Sequence, residues 1–220
     1  MRGVRELALP LWRTLPWRAL GAAGAAGLLL AGLPRLMGSN EWWTLFLLRG
    51  AVLAFALGLA FVLDDPARHI TAPVPTRRWV RHALRAVLVA PPAAVWWTAA
   101  VLLVPGDVRP PVADVTLEAG AMFALALAVA AIAVHRSEDA TPGTLVAAVL
   151  LAAAALTPLL LPDDWALFVP TADERWGAAH DRWGMVLAGA AVVWAVCGPE
   201  PLRSLKLRPR ATLGLTGSGR

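Results

Sequence analysis

Apolar runs of roughly span length alternate along this chain with short polar or proline-rich breaks. The runs lie at about residues 19–37, 42–63, 77–104, 117–134 and 144–161, and a shorter one closes the series at 185–197. About 20 apolar residues in a helix cross a hydrocarbon core of about 30 Å. The pattern therefore predicts an all-α, polytopic membrane protein with six transmembrane helices. Only 13 residues of the last run, Met185–Cys197, are cleanly apolar, so that span has to begin inside the preceding loop, near Arg182. The expected organisation is a cytosolic or interfacial N-terminal segment (1–18), a six-span domain (19–197) and a basic cytosolic tail (198–220).

The breaks are informative. Residues 1–18 mix Arg2, Arg5, Arg13 and Arg18 with leucine and tryptophan, as expected of an N-terminal helix lying in the membrane interface, shortened by Pro10 and Pro16. A signal peptide is the competing reading; the long stretch before the apolar core argues against cleavage. In the first span GAAGAAG sets Gly21, Gly24 and Gly27 three apart, where small residues let another backbone approach. Thr76 is a suitable N-cap, and Arg77, Arg81 and Arg85 follow on one helical face. A helix over 77–104 would be about 42 Å long, more than the core needs, so its first turns are expected in the cytosol. Pro91 and Pro92 should kink it. Residues 162–184 carry five acidic residues together with Trp165, Phe168, Trp176 and Trp183. They are too polar to span and too aromatic for a plain solvated loop. A short extracellular helical hairpin between helices 5 and 6, resting among headgroups, is the predicted form.

Composition agrees with lipid as the main solvent: 58% of residues are hydrophobic and 16% charged, against about 25% charged in soluble domains. Charge then sets the orientation. With six spans, fifteen basic residues fall on the side of the termini and three (Arg109, Arg175, Arg182) on the other. The positive-inside rule puts both termini in the cytoplasm and the chain in the cell membrane. The net charge of +5 sits between apolar runs, and no zinc pattern or aromatic basic strand accompanies it, so nucleic acid is not an expected partner. The single cysteine, Cys197, excludes an internal disulfide and reads as an inert thiol.

Candidate chemistry is sparse. Arg49 lies seven residues into the second span, where an unpaired charge costs roughly 2.5 kcal/mol or more. A structural pair with Glu118 or Glu41, or snorkelling, outranks a substrate contact. Glu118 is the other intramembrane charge, at the outer end of the fourth span. Trp96 and Trp97 are placed either to face lipid or to line a cavity between protomers, which makes them the candidate substrate-lining pair. Asp163, Asp164 and His180 lack a metal-ligand spacing. No HExxH, GxSxG or Walker A loop occurs, and no span shows a carboxylate relay or a core histidine. The chain is not expected to be an enzyme or to hold a cofactor. Any uphill transport has to draw energy from another chain.

LDDPA (Leu63–Ala67) with PVPTRRWVRHALR, then WALF (Trp165–Phe168) and AAHDRW (Ala178–Trp183), resemble small actinobacterial membrane proteins associated with ABC transporters. The arginine-over-lysine bias, with Lys206 the sole lysine, resembles proteins of high-GC bacteria. The layout is similar to exporter-type ABC permeases: an interfacial helix, six spans, a coupling helix between spans 2 and 3, and an outer hairpin between spans 5 and 6. The resemblance implies a permease dimer, of identical or paralogous chains, carrying ATP-binding subunits that hold ATP and Mg. It maps Asp64, Asp65, Arg68, Arg77, Arg78 and Arg81 to the coupling region. The short loop between spans 4 and 5 departs from it. A non-transporting scaffold that recruits a soluble partner is the alternative.

Overall fold

The computed structural model describes residues 11–38, 40–64, 78–136 and 141–197, with side chains from residue 82 in the third stretch. The described residues contain six long helices and no strand. They are α1 (Trp17–Met37), α2 (Glu41–Leu59), α3 (Arg78–Leu103), α4 (Val112–Arg136), α5 (Gly143–Leu160) and α6 (Trp176–Cys197). The first five are long and apolar enough to cross a membrane, α3 from His82 onward. α6 is 22 residues long, but its first turns carry His180, Asp181 and Arg182.

α1 and α2 form an antiparallel pair. Gly38 ends α1 in the left-handed conformation (φ 60°), its N–H bonded to Pro34 O, and Asn40 caps α2 by accepting the Trp43 N–H at 3.0 Å. Small residues bring the two backbones together. A Cβ on Gly58 would stand 2.7 Å from Ala23 Cβ, and one on Gly27 would stand 2.9 Å from Ala51 O. α3 lies against this pair through Trp96, which sits over Gly24 and Gly27, donates to Gly24 O at 2.9 Å and stacks on Phe55 with centroids 4.2 Å apart. Lipid tails are as apolar as leucine, so such fit and hydrogen bonding, more than removal from water, hold helices together in a bilayer. α4 packs on α2 and on α6, and α5 touches α4 and α2 mainly through its first half, where Val146 and Leu150 are buried.

α3 runs as one helix through Pro91 and Pro92. The connection between α5 and α6 differs from expectation. Between α5 and α6 there is no helical hairpin: residues 161–175 form a loop with a single 3-10 turn at Asp163–Trp165, and residues 176–184 are the start of α6. The polar residues of this start find partners in the loop. Arg182 Nη1 donates to Ala166 O at 2.8 Å and Trp183 Nε1 to Leu167 O at 3.1 Å. Asp173 accepts from the Arg175 N–H at 2.8 Å and pairs with its guanidinium, which starts the helix. At the other end of the sequence, residues 11–14 form one helical turn with Leu11 and Leu15 buried and Trp12 exposed. Residues 1–10, most of the expected interfacial helix, lie outside the described residues, as does the 198–220 tail.

Candidate functional site

α2, α4 and α6 start at the same end of the bundle, and each contributes one ionisable side chain, one to about two turns in, to a shared cluster. Arg49 of α2 grips Glu118 of α4 with two parallel bonds, Nε to Oε2 at 2.8 Å and Nη2 to Oε1 at 2.6 Å. This is the strong bidentate form of the pair. The third guanidinium nitrogen, Nη1, donates to Val169 O in the 161–175 loop at 3.1 Å. The Phe168 and Trp176 rings cover the cation at 5.5 and 5.8 Å. Glu118 is 4% exposed. The pair therefore answers the cost of placing Arg49 in a span, and Glu41 is not its partner.

His180 of α6 completes the site. Its Nε2 lies 3.1 Å from Glu118 Oε1, and its Nδ1 is 2.8 Å from Trp176 O, one turn back. The ring is buried and tilted against Trp176 at 4.3 Å. Nε2 has no well-directed hydrogen bond in spite of the close carboxylate oxygen. Trp176 in turn donates from Nε1 to Asp114 Oδ2 at 2.7 Å, pinning the first turn of α6 to the first turn of α4.

No family model, curated protein or solved structure significantly matches the chain.

A second cluster forms at the opposite end of the bundle. Asp64, just past α2, accepts the Gly143 N–H at 2.9 Å and so caps α5. Arg85 of α3, buried, donates to Asp64 O at 2.9 Å. Burial pushes the Asp64 carboxyl up from its ordinary value, against the opposing pull of the Gly143 N–H and Arg85. Gly143 is required by the close approach, since a Cβ there would meet Phe61 at 2.5 Å and Asp64 Oδ2 at 2.7 Å. Of the expected coupling residues, Asp65, Arg68 and Arg77 lie outside the described residues, as do the side chains of Arg78 and Arg81 on the first turn of α3. Asp64 is thus an internal tie as well as a candidate contact.

Trp96 and Trp97, expected at lipid or at a cavity between protomers, are instead packed inside this chain, each 8% exposed. Trp97 Nε1 donates to Thr116 Oγ1 at 3.0 Å. An indole N–H needs an acceptor in a dry interior, and both rings turn inward to find one. Asp163, Asp164 and His180 do not converge, and no group of three metal-ligating side chains occurs among the described residues. His180 and the Val169 carbonyl are the members of the site that sequence reasoning missed. The signal was there in spacing: Trp176, His180 and Trp183 stand at i, i+4 and i+7, one face of a helix.

Proposed function

We propose that this chain is the membrane-spanning subunit of an ATP-driven, ABC-type exporter. It crosses the cell membrane six times with both termini in the cytoplasm, and pairs with a second copy or a paralogue. A separate ATP-binding subunit supplies the energy from ATP and Mg, and the cargo is amphipathic or lipid-like. One observation carries the reading. The connection that leaves α2 and enters α3 is tied at its base to three helices at once, to α2 by the turn at 60–63, to α3 by Arg85 and to α5 by the Asp64 cap. A protein that grips residues 65–81 therefore pulls on all three helices. That is what a coupling segment requires, and Arg68, Arg77, Arg78 and Arg81 give it a charged handle.

A scaffold that recruits a soluble partner without transport is the second reading. It is favoured by an aromatic cluster that fills the bundle: Phe55 stacks on Trp96, and Phe123 is tilted against both. An open depression of about 290 Å³ lies elsewhere, beside Glu41, Arg109 and Thr171. Co-purification from native membranes separates the readings. The exporter brings down an ATP-binding chain whose ATP turnover rises with lipid cargo, and Arg77→Ala with Arg81→Ala lowers that turnover. A partner whose turnover ignores every cargo supports the scaffold, and the absence of any ATP-binding chain contradicts the exporter.

A further inference from the structure

The hydrogen-bonding capacity around His180 does not balance without an added proton. Trp176 O can only accept, so the proton on that side of the ring sits on Nδ1. Glu118 Oε1, 3.1 Å from Nε2, is an acceptor as long as Glu118 is ionised. A neutral imidazole with Nδ1–H would therefore leave a bare Nε2 lone pair 3.1 Å from an anionic oxygen, off the ideal bond axis, in a buried site. One proton between Nε2 and Oε1 removes that conflict. We infer that His180 and Glu118 form a proton-binding site inside the bundle, and that the bound proton fastens the start of α6 and the 161–175 loop to α4 and α2.

The step is simple to balance. Water on the loop side delivers one proton to Nε2, the imidazole becomes imidazolium, and Glu118 stays ionised between two cations. On release the proton returns to water, and Glu118 keeps Arg49 alone. The charged groups facing His180 are Glu118 of α4 and, behind it, Arg49 of α2. Asp114 of α4 reaches the same turn through Trp176. On α6 itself Asp181 is exposed, and Arg182 is turned to Ala166 O. The loop follows the site because Arg49 also holds Val169 O, and Trp183, one turn past His180, holds Leu167 O. The other charge-bearing loop anchor, Asp173, is held down to about 2 by the hydrogen-bonding guanidinium and N–H of Arg175. A depressed carboxyl adds stability above its unfolded value and loses it only as pH falls through the folded one. Asp173 is therefore ionised throughout the range in which a histidine changes charge. This inference is independent of the exporter reading, and its test needs no partner chain.

The test uses the full chain in phosphatidylcholine nanodiscs. Nitrogen NMR of histidine-labelled protein identifies His180 among the four histidines as the signal lost in His180→Gln. The expected course with rising pH runs from imidazolium to a neutral ring that keeps its proton on Nδ1. A neutral ring with the proton on Nε2, or a ring already neutral at about pH 4, overturns the inference. Hydrogen exchange across 166–183, corrected for intrinsic rate, should show opening increase about tenfold when the ring deprotonates, the loss of one buried ion-pair contact. His180→Gln retains the Arg49–Glu118 pair and a donor toward Glu118, so it should fold and exchange with no such pH step. Wild-type exchange without the step, or the same step in His180→Gln, also overturns it.

Discussion

At the scale of single residues, the buried ion pair is the feature with the largest consequences. Removing one partner of such a pair strands the other, at a cost of about 3–5 kcal/mol, whereas replacing both with apolar residues is often near neutral. Arg49→Leu should therefore lower stability in detergent by about 3 kcal/mol, and Arg49→Leu with Glu118→Leu should recover most of it. Reversible unfolding of the three proteins measures the difference; equal loss in the single and double variants contradicts the pairing as the source. Asp64 makes a different prediction. Its carboxyl is raised by burial, so the fold favours the protonated form. That contribution is complete below the unfolded value and is lost as pH rises through the folded one. Asp64→Asn keeps an acceptor for the Gly143 N–H without the charge. It should be at least as stable as wild type at neutral pH and free of this pH dependence. Asp64→Ala loses the cap and should cost about 1 kcal/mol. Thermal midpoints over a pH series distinguish the two.

At the scale of elements, glycine positions decide how α1, α2 and α3 meet. A Cβ at Gly27 would lie 2.5 Å from the Trp96 ring and 2.9 Å from a backbone oxygen that cannot swing aside, while Gly21 has open space. Gly27→Ala should cost about 1–3 kcal/mol by overpacking. Gly21→Ala should be neutral or slightly stabilising, and equal effects at the two sites would contradict the packing described. The GAAGAAG run was visible in the sequence as a place for close approach, but nothing in it said which glycines are covered or that Trp96 covers them. The five apolar helices were legible within a few residues at most ends, because hydropathy alone fixes them. α6 was not. Its first nine residues look like a loop on composition, and their polar groups become tolerable only through distant partners: Glu118 for His180, and the carbonyls of residues 166 and 167 for Arg182 and Trp183. The Arg49–Glu118 pair was foreseeable because few other charges share its depth. His180 was hidden by the same misplacement of the helix start.

At the scale of the whole molecule, the proposed topology requires α6 to cross the membrane alongside α2 and α4, so that three helices running the same way enclose the charged site. The side proposed for the terminal tail depends on that crossing. Cysteine labelling in a Cys197→Ser background tests it with two reporters, Ala172→Cys in the α5–α6 loop and Ser204→Cys beyond α6. With a membrane-impermeant maleimide on intact cells, the account predicts that residue 172 is labelled and residue 204 only after permeabilisation. Both positions labelled from the same side would contradict it, because α6 would then not cross and the terminal tail would lie on the side of the loop.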